Sequence, residues 1–233
     1  MSTRNFDLAE LCFLTLKVNV RRVYMEVVCA DALEWLLKKP DKSLTNIVTG
    51  IPDPQEMSLD QNKYREFLAK VVGAIFDKVM DETYVMFMVT DRKKSGEWLD
   101  KSYLIQKVAE EHNMPLKWHK IILHRDIDAC HIQRPTYQHY LCFSRKLGPG
   151  SVTADVMLCG KKGYKNGSSP VGTQHAIEMI RKYSPHKSVI DPFVGRGTTL
   201  VEARRQGLLG IGIDLSLDQC KRATGALEQS QRL

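Results

Sequence analysis

Strand-like and helix-like segments alternate along most of this sequence, and that alternation constrains the fold more than any other feature. A short apolar run such as 84–89 is followed or preceded by segments like 64–79, whose apolar residues recur at i, i+3, i+4 and i+7. Alternating units of this kind build a mostly parallel sheet with helices on both faces. We therefore predict an α/β fold with a Rossmann-like, doubly wound sheet. A single domain is expected over residues 23–233, preceded by an N-terminal extension over residues 1–22.

The individual elements follow from the same patterns. The strand candidates are residues 24–29, 44–49, 84–89, 117–123, 138–143, 188–190 and 209–213. The helix candidates are residues 33–37, 64–79, 102–111, 173–183 and 198–205, with a polar helix from about residue 217. Residues 145–172, which are rich in Gly, Ser and Lys, are expected to be irregular.

Charge and cysteine content narrow the class of protein. The chain carries 34 Lys and Arg against 27 Asp and Glu, a net charge of +7. Such an excess favours polyanionic partners such as nucleic acid, although many basic proteins bind none. No two of the six cysteines are spaced as a zinc or redox pair, so an intracellular protein of cytoplasm or nucleus is expected. The sequence shows neither a signal-peptide layout nor an apolar run long enough to span a membrane.

The segment 189–200 is the most informative motif. An apolar strand runs into a turn that contains Gly195 and Gly197, and a helix is expected from Thr198. Glycines let the backbone approach a ligand closely, and a helix N-terminus offers unpaired N–H groups. The next strand ends in Asp214, where an acid can accept hydrogen bonds from ribose hydroxyls. A turn that serves only packing is the alternative, but the complete order of strand, turn, helix, strand and acid favours a ligand site.

This motif resembles the cofactor motif of the S-adenosylmethionine-dependent amino-methyltransferases, which methylate exocyclic amines of adenine or cytosine, mostly in DNA, with RNA-modifying relatives. The residues that carry the resemblance are Asp191, Pro192, Phe193, Gly195, Gly197, Thr198 and Thr199. The similarity extends from about residue 23 to residue 223. It implies a class I methyltransferase fold with an antiparallel last strand, in the circularly permuted order that places the catalytic half before the cofactor half.

The resemblance also implies roles for single residues. Phe193, Gly195 and Gly197 would surround the methionine part of S-adenosylmethionine, and Thr198 and Thr199 would start the following helix. Asp191 would lie near the methionine amino group and Asp214 at the ribose. Asp31 would contact the adenine, and Thr173 would belong to a second cofactor loop. Asp31 also fits the N-cap of the helix that follows it, and both roles can hold together.

The catalytic loop departs from the family pattern. Relatives carry Asp, Asn or Ser followed by two prolines and an aromatic residue, and the first residue and a backbone carbonyl bind the target amine. Aligning the preceding strand puts Gly50 at the acid position and Asp53 where the aromatic residue is expected, whereas a slip of one to three residues would make Asp53 and Pro54 the functional pair. We predict that Asp53 and the Pro52 backbone position the methyl acceptor; a degenerate remnant of the loop is the alternative.

Basic residues suggest where a nucleic acid would lie. The candidates are Arg92, Lys93, Lys94, Arg134, Lys161, Lys162 and Lys165, with Tyr164 available for base stacking. Solvated surface runs are the alternative for each of them. Four histidines at 119, 124, 131 and 139 match no zinc spacing, so no metal is expected.

These observations predict a methyltransferase that uses S-adenosylmethionine to methylate a base nitrogen in nucleic acid. RNA is favoured over DNA, because the chain has little room for an inserted target-recognition module. One rival is a catalytically silent subunit that keeps the fold and supports an active partner, and a small-molecule methyltransferase is another. A second copy of the chain or a partner subunit is an open alternative for the assembly.

Overall fold

The computed structural model describes residues 14–20, 23–94, 96–161 and 167–230. Its strands are β1 (Leu14–Val20), β2 (Val23–Cys29), β3 (Asn46–Thr49), β4 (Val85–Val89), β5 (Arg92–Lys94), β6 (Glu97–Leu99), β7 (Leu116–Leu123), β8 (Tyr137–Phe143), β9 (Val156–Leu158), β10 (Ser188–Asp191) and β11 (Leu209–Asp214). Its helices are α1 (Ala32–Leu37), α2 (Gln61–Lys78), α3 (Lys101–Glu111), α4 (Pro170–Tyr183), α5 (Thr198–Arg205) and α6 (Leu217–Gln229).

Nine of the described strands form one sheet in the order β1-β2-β11-β10-β3-β4-β8-β7-β9. Strands β2, β11, β10, β3 and β4 run parallel to one another. Strand β8 is antiparallel to both of its neighbours, β4 and β7. This arrangement confirms the Rossmann-like class I methyltransferase fold, including the antiparallel last strand and the permuted order of its halves. Strands β5 and β6 form a separate hairpin.

The helices cover both faces of the sheet. Buried residues of α1, α2 and α3 pack on one face, and buried residues of α4, α5 and α6 pack on the other. Strand β4 is buried at all five positions, as expected of a strand covered on both sides. The doubly wound architecture follows from this distribution, since each helix buries one apolar stripe against the sheet.

Several boundaries differ from the sequence-based expectation, and one strand was not expected. Strand β3 begins at Asn46 rather than residue 44, because Leu44 pairs with Val79 only as an isolated bridge. The Asn46 side-chain amide donates to the carbonyl oxygens of His186 and Ser188 and accepts from the Tyr84 backbone amide. Helix α4 begins at Pro170, where the Ser169 hydroxyl accepts from the Gly172 amide as an N-cap. The stretch 145–172, expected to be irregular, contains strand β9, which pairs parallel with β7.

Strand β1 lies within the segment 1–22 that the sequence sets apart as an N-terminal extension. It pairs antiparallel with β2 from Leu14↔Cys29 to Val20↔Val23 and forms one edge of the sheet. Among the described residues, none of the helices has the length and apolar character that a membrane crossing needs.

Candidate active site

The candidate site lies at the edge of the sheet where the parallel strands end. Strands β3 and β10 are neighbours, and the chain leaves them in opposite directions across the sheet, towards β4 and β11. A crevice at such a switch point is the usual ligand site of an open α/β sheet. Thr49, Asp191 and Asp214 are the last residues of β3, β10 and β11, so the topology brings them to this edge.

The turn between β10 and α5 is built on two glycines with left-handed backbone. Gly195 has φ 51° and Gly197 has φ 84°. A Cβ at Gly197 would also lie 3.1 Å from the Ala223 Cα, so a side chain there meets both strain and the backbone of α6. Gly197 caps α5 without a side-chain hydrogen bond, which leaves the first N–H groups of the helix directed at the crevice. The turn thus has the backbone approach that the motif predicts.

Asp214 is held by two backbone amides. One carboxylate oxygen accepts from the Gly195 amide at 3.0 Å and the other accepts from the Ser216 amide at 2.8 Å. Burial raises the pKa of Asp214, while these amide hydrogen bonds act in the opposite direction. Each carboxylate oxygen keeps a second lone pair, so the group is oriented and still able to accept from a ligand hydroxyl.

Asp191 is buried beneath the turn. Its carboxylate accepts from the Thr49 hydroxyl at 2.6 Å and from the Phe193 amide at 3.1 Å. Burial, with a further contribution from the charge of Asp214, raises the pKa of Asp191 to about 6, although its hydrogen bonds lower it. The arrangement places an acid that titrates near neutrality under the predicted methionine position.

The other predicted cofactor residues surround these two acids. Asp31 is the N-cap of α1 and accepts from the Glu34 amide at 2.9 Å; the neighbouring Ala30 amide donates to the Asp214 carbonyl at 3.0 Å. The Phe193 ring meets Phe67 edge-on at 6.2 Å between centroids. Thr198 and Thr199 open α5, as expected. The structure therefore brings Asp31 next to Asp214, and its N-cap role is present.

Thr173 lies in the first turns of α4 and is fully buried. Its backbone amide donates to Ser169 at 2.8 Å, whereas its hydroxyl oxygen has no hydrogen-bond partner among the described residues. A buried hydroxyl without a partner is costly, and a bound polar ligand would satisfy it. Thr173 therefore lies within a helix rather than in the predicted loop, because Ser169 caps α4 ahead of it, and its contact with the cofactor stays a prediction.

The two residues predicted to position the methyl acceptor already have partners within the chain. The Asp53 carboxylate forms ion pairs with Arg92 and Lys101, and it is only 16% exposed. The Pro52 carbonyl accepts a hydrogen bond of 2.8 Å from the Tyr64 hydroxyl. Each group therefore already has partners within the chain, and each keeps lone pairs that could accept a further hydrogen bond.

Lys101 is a site residue that the sequence reading missed. Its side chain is 1% exposed, and its ammonium group lies 5.5 Å from the centre of the Tyr64 ring as well as against Asp53. Burial lowers the pKa of Lys101, as does the neighbouring Arg92 guanidinium. From sequence alone, a lysine at the start of a helix is expected to be exposed to solvent. The only sequence signal for its location was Asp100, the N-cap residue before it.

A polar network lies beside this cluster, behind the end of β4. The buried Asp91 carboxylate accepts from the Lys101 amide at 2.9 Å and from Trp98 Nε1 at 3.0 Å, and it lies 3.0 Å from His139 Nε2. His139 Nδ1 lies in turn 2.8 Å from His119 Nε2. Burial is the largest influence on Asp91 and raises its pKa, but His139, the Lys101 amide and Trp98 together lower it, so the net pKa is below its ordinary value.

Ligand atoms of Asp91, Asp100 and His139 lie within 4.8 Å of one another, close enough to share a cation. Asp100 also accepts from the Ser102 hydroxyl at 2.9 Å and from the Tyr103 amide at 2.8 Å. Since the carboxylates already accept several hydrogen bonds, we interpret the cluster as a hydrogen-bond network.

The basic residues predicted to contact nucleic acid lie in different surroundings. Arg92 faces inward to Asp53, and its pKa is lowered by burial and by the nearby Arg134 charge. Lys93 holds the hairpin to the loop after β7, since its amide donates to the Gln133 carbonyl at 2.9 Å, and its ammonium lies 4.8 Å from the centre of the Trp98 ring. Lys161 is exposed. Lys162, Tyr164, Lys165 and the side chain of Lys94 lie outside the described residues.

Comparison with known proteins places the fold among methylases. No protein-family model matches the chain. The type II methyltransferase M.ScaI from Streptomyces caespitosus is 45% identical over 51 residues, which are 22% of this chain and only 17% of that relative's length.

Solved structures match over nearly the whole chain. TTHA0409 of Thermus thermophilus, assigned as a DNA modification methylase, matches with a TM-score of 0.68 and 16% identity over 91% of this chain and 95% of its own. Its complex with S-adenosyl-L-methionine matches with a TM-score of 0.66 and 18% identity, over 86% of this chain and 93% of that structure. The cytosine-N4-specific PvuII DNA methyltransferase matches with a TM-score of 0.67 and 12% identity, over 89% of this chain and 90% of its own. The chain therefore has the Rossmann-like fold of the DNA methylases, as the sequence predicts.

Proposed function

We propose that this protein is an S-adenosylmethionine-dependent methyltransferase that modifies a base nitrogen in nucleic acid. The observation that carries the proposal is the turn after β10, where Gly195 and Gly197 adopt left-handed backbone and the Gly195 amide holds the Asp214 carboxylate at 3.0 Å. This geometry suits a ligand with a ribose and a methionine part, because it offers an oriented acid beside closely approachable backbone.

The residues present fit the cofactor. Asp214 would accept from ribose hydroxyls, Asp31 would lie at the adenine, and Asp191 would lie near the methionine amino group. The buried Thr173 hydroxyl, which has no partner among the described residues, would gain one. When bound, S-adenosylmethionine supplies an activated methyl group. The protein's own task is therefore to hold the acceptor nitrogen in line, which requires positioning more than acid–base chemistry.

Within nucleic acids, we propose DNA as the substrate. The solved structures that share the fold include proteins described as DNA methylases, such as the PvuII enzyme and TTHA0409. The preference for RNA that the sequence suggested has no support among them. The net charge of +7 suits either polymer, so the choice rests on these neighbours.

At the mouth of the site, we propose that Asp53 and Pro52 hold the surrounding groups in place. Asp53 forms ion pairs with both Arg92 and Lys101, and the Pro52 carbonyl accepts a hydrogen bond from the Tyr64 hydroxyl. These contacts fix the loop after β3 against α2 and α3. The acceptor nitrogen would then be positioned within a preformed, rigid rim.

Transfer of a tritiated methyl group from S-adenosylmethionine tests the proposal. The expected result is incorporation into unmethylated DNA above that into RNA or a small-molecule extract, together with calorimetric binding of the cofactor that Asp214→Ala abolishes. Asp218→Ala, on the exposed surface of α6, is the matched control and should bind normally. No binding at millimolar cofactor would refute the enzyme assignment.

A silent subunit is the second candidate, and one observation favours it. Gly50 offers no side chain at the acid position, and Asp53 is engaged by two cations. This candidate predicts cofactor binding, or none, with no transfer to any nucleic acid. Transfer by the purified chain alone would exclude it.

A further inference from the structure

Gly50 stands where relatives carry the catalytic acid, and a polar side chain nearby could take over the role of that acid. Gly50 follows the last residue of β3, and a Cβ built there would lie 3.3 Å from the carbonyl oxygen of Met88 in β4. Gly50 thus stands beside the end of β4, within reach of any polar group that contacts the same carbonyl. The nearest such contact comes from the other side of β4.

Gln138 reaches this carbonyl from β8. Because β8 runs antiparallel to β4, its first residues lie at the edge of the sheet where β3 and β4 end. Gln138 Nε2 donates a hydrogen bond of 2.9 Å to the Met88 oxygen. Gln138 and any side chain at position 50 would therefore both contact the Met88 carbonyl oxygen.

The amide of Gln138 presents an unused acceptor. Its residue is only 7% exposed, and its Oε1 has no hydrogen-bond partner among the described residues. The assignment of oxygen and nitrogen is set chemically, since the Met88 carbonyl accepts a hydrogen bond and only the NH₂ group can donate one. A buried amide oxygen left without a donor is costly, and such groups in folded proteins usually have a partner.

The surroundings of this amide belong to the predicted cofactor half. A Cβ at Gly172 in α4 would lie 2.9 Å from the Met88 sulfur, so the start of α4 packs directly on Met88. The hydroxyl of Thr173, the next residue, is also buried and has no partner among the described residues. Met88 therefore contacts Gln138 through its carbonyl oxygen and the start of α4 through its sulfur.

We propose that Gln138 Oε1 accepts a hydrogen bond from the exocyclic amine of the target base and so supplies the acceptor that Gly50 lacks. The inference rests on the proposed function and names the substrate class at its site, a base with an exocyclic amine. The acceptor holds the amine so that its lone pair faces the methyl group. The new C–N bond forms as the C–S bond breaks, the electron pair stays on sulfur, and the nitrogen releases one proton to water.

This role makes a prediction for binding as well as for transfer. A buried acceptor discriminates between an amine and a hydrogen atom, because without the amine the acceptor stays unpaired. Short single-stranded oligonucleotides with one adenine or cytosine should bind more tightly than matched ones with purine or 2-pyrimidinone at that position. We expect a difference of about tenfold for one of the two pairs.

The test compares Gln138→Met, which keeps the length of the side chain without an acceptor, with Gln138→Glu, whose buried carboxyl group in its protonated form can still donate to the Met88 carbonyl and still offers an acceptor. In Gln138→Met, the discrimination should fall to about twofold or less, and methyl transfer should fall by about tenfold or more, with unchanged calorimetric affinity for S-adenosylmethionine. Gln138→Glu should retain more of both. Gln174→Met, an exposed position on the outer side of α4, is the control.

Full discrimination or full transfer in folded Gln138→Met would overturn the inference, and so would a wild-type protein that binds both members of each pair equally. If Gln138→Met does not fold, a folded Gln138→Glu that loses the discrimination also counts against it. The proposed function fails separately. If the wild-type protein discriminates the amine but transfers no methyl group, the acceptor role is supported and the enzyme assignment is refuted.

Discussion

The hydroxyl of Thr49 donates a hydrogen bond of 2.6 Å to the carboxylate of Asp191. Thr49 ends β3, which leads to the candidate catalytic loop, and Asp191 ends β10, which leads to the cofactor turn. The two residues are 142 positions apart in sequence. One buried contact therefore joins the two functional halves of the chain at the switch point of the sheet.

Replacing Thr49 by Val should weaken this joint. Valine keeps the shape of the side chain but leaves the buried Asp191 carboxylate with one donor fewer, so the free energy of unfolding should fall by about 1–3 kcal/mol. The pKa of Asp191 should also rise further, because the Thr49 hydrogen bond stabilises the ionised carboxylate and the variant lacks it. Urea denaturation measures the change. Thr49→Ser, which retains the hydroxyl, is the control, and equal stability of Thr49→Val and wild type would contradict the prediction.

Asp191 should make stability depend on pH. Its pKa is raised from 3.8 to about 6, so between these values the folded state holds a proton that the unfolded state has released. The free energy of unfolding should therefore fall as pH rises through this window, by about 3 kcal/mol for this group alone. Asp191→Asn cannot ionise and should remove this contribution. Denaturation curves at pH 4.5, 5.5 and 6.5 in both proteins measure it, and parallel pH profiles would refute the assignment.

The sequence predicted the cofactor half more fully than the catalytic half, and the reason is local chemistry. Gly195, Gly197 and Asp214 lie within one strand–turn–helix–strand unit, whose backbone demands are visible as glycines and an acid at fixed spacing. Lys101 and Gln138 join the site only through pairing of β4 with β8 and the packing of α3. Their partners are 48 and 50 residues away, and no local pattern marks such contacts.

The same distinction explains the roles of Asp53 and Arg92. Both were expected at the edge of the sheet, and both lie there, but the sequence gives no sign that they would pair with each other. An arginine in a run of basic residues reads as a phosphate contact until tertiary structure supplies a carboxylate. The assignment of Arg92 to nucleic acid stays a prediction, now with a competing partner.

The Asp53–Lys101 ion pair should behave as an anchor. Asp53→Ala leaves the Lys101 ammonium buried without its counter-charge, so we expect a loss of about 3–5 kcal/mol in the free energy of unfolding. Adding Lys101→Met to this variant removes the unpaired ammonium group and should recover part of the loss, while Arg92 still lacks its partner. The double variant should also keep methyl transfer within about tenfold of wild type, since an anchor acts only through position. A stable double variant without any transfer, alongside a Lys101→Met single variant that retains it, would instead assign Asp53 a direct role with the acceptor.

The basic residues predicted to contact nucleic acid should set the salt dependence of its binding. Arg134→Ala and Lys161→Ala should each reduce the slope of log affinity against log salt by about one, because each phosphate contact releases about one counterion. Arg92→Ala should change the slope less, since its charge is already paired with Asp53. Lys182→Ala, exposed near the far end of α4, is the matched control and should leave the slope unchanged. Fluorescence anisotropy with a labelled duplex between about 50 and 200 mM salt, a range over which such affinities change by orders of magnitude, measures all four. An equal change for Arg92 and Arg134 would show that the Asp53 pair opens when nucleic acid binds.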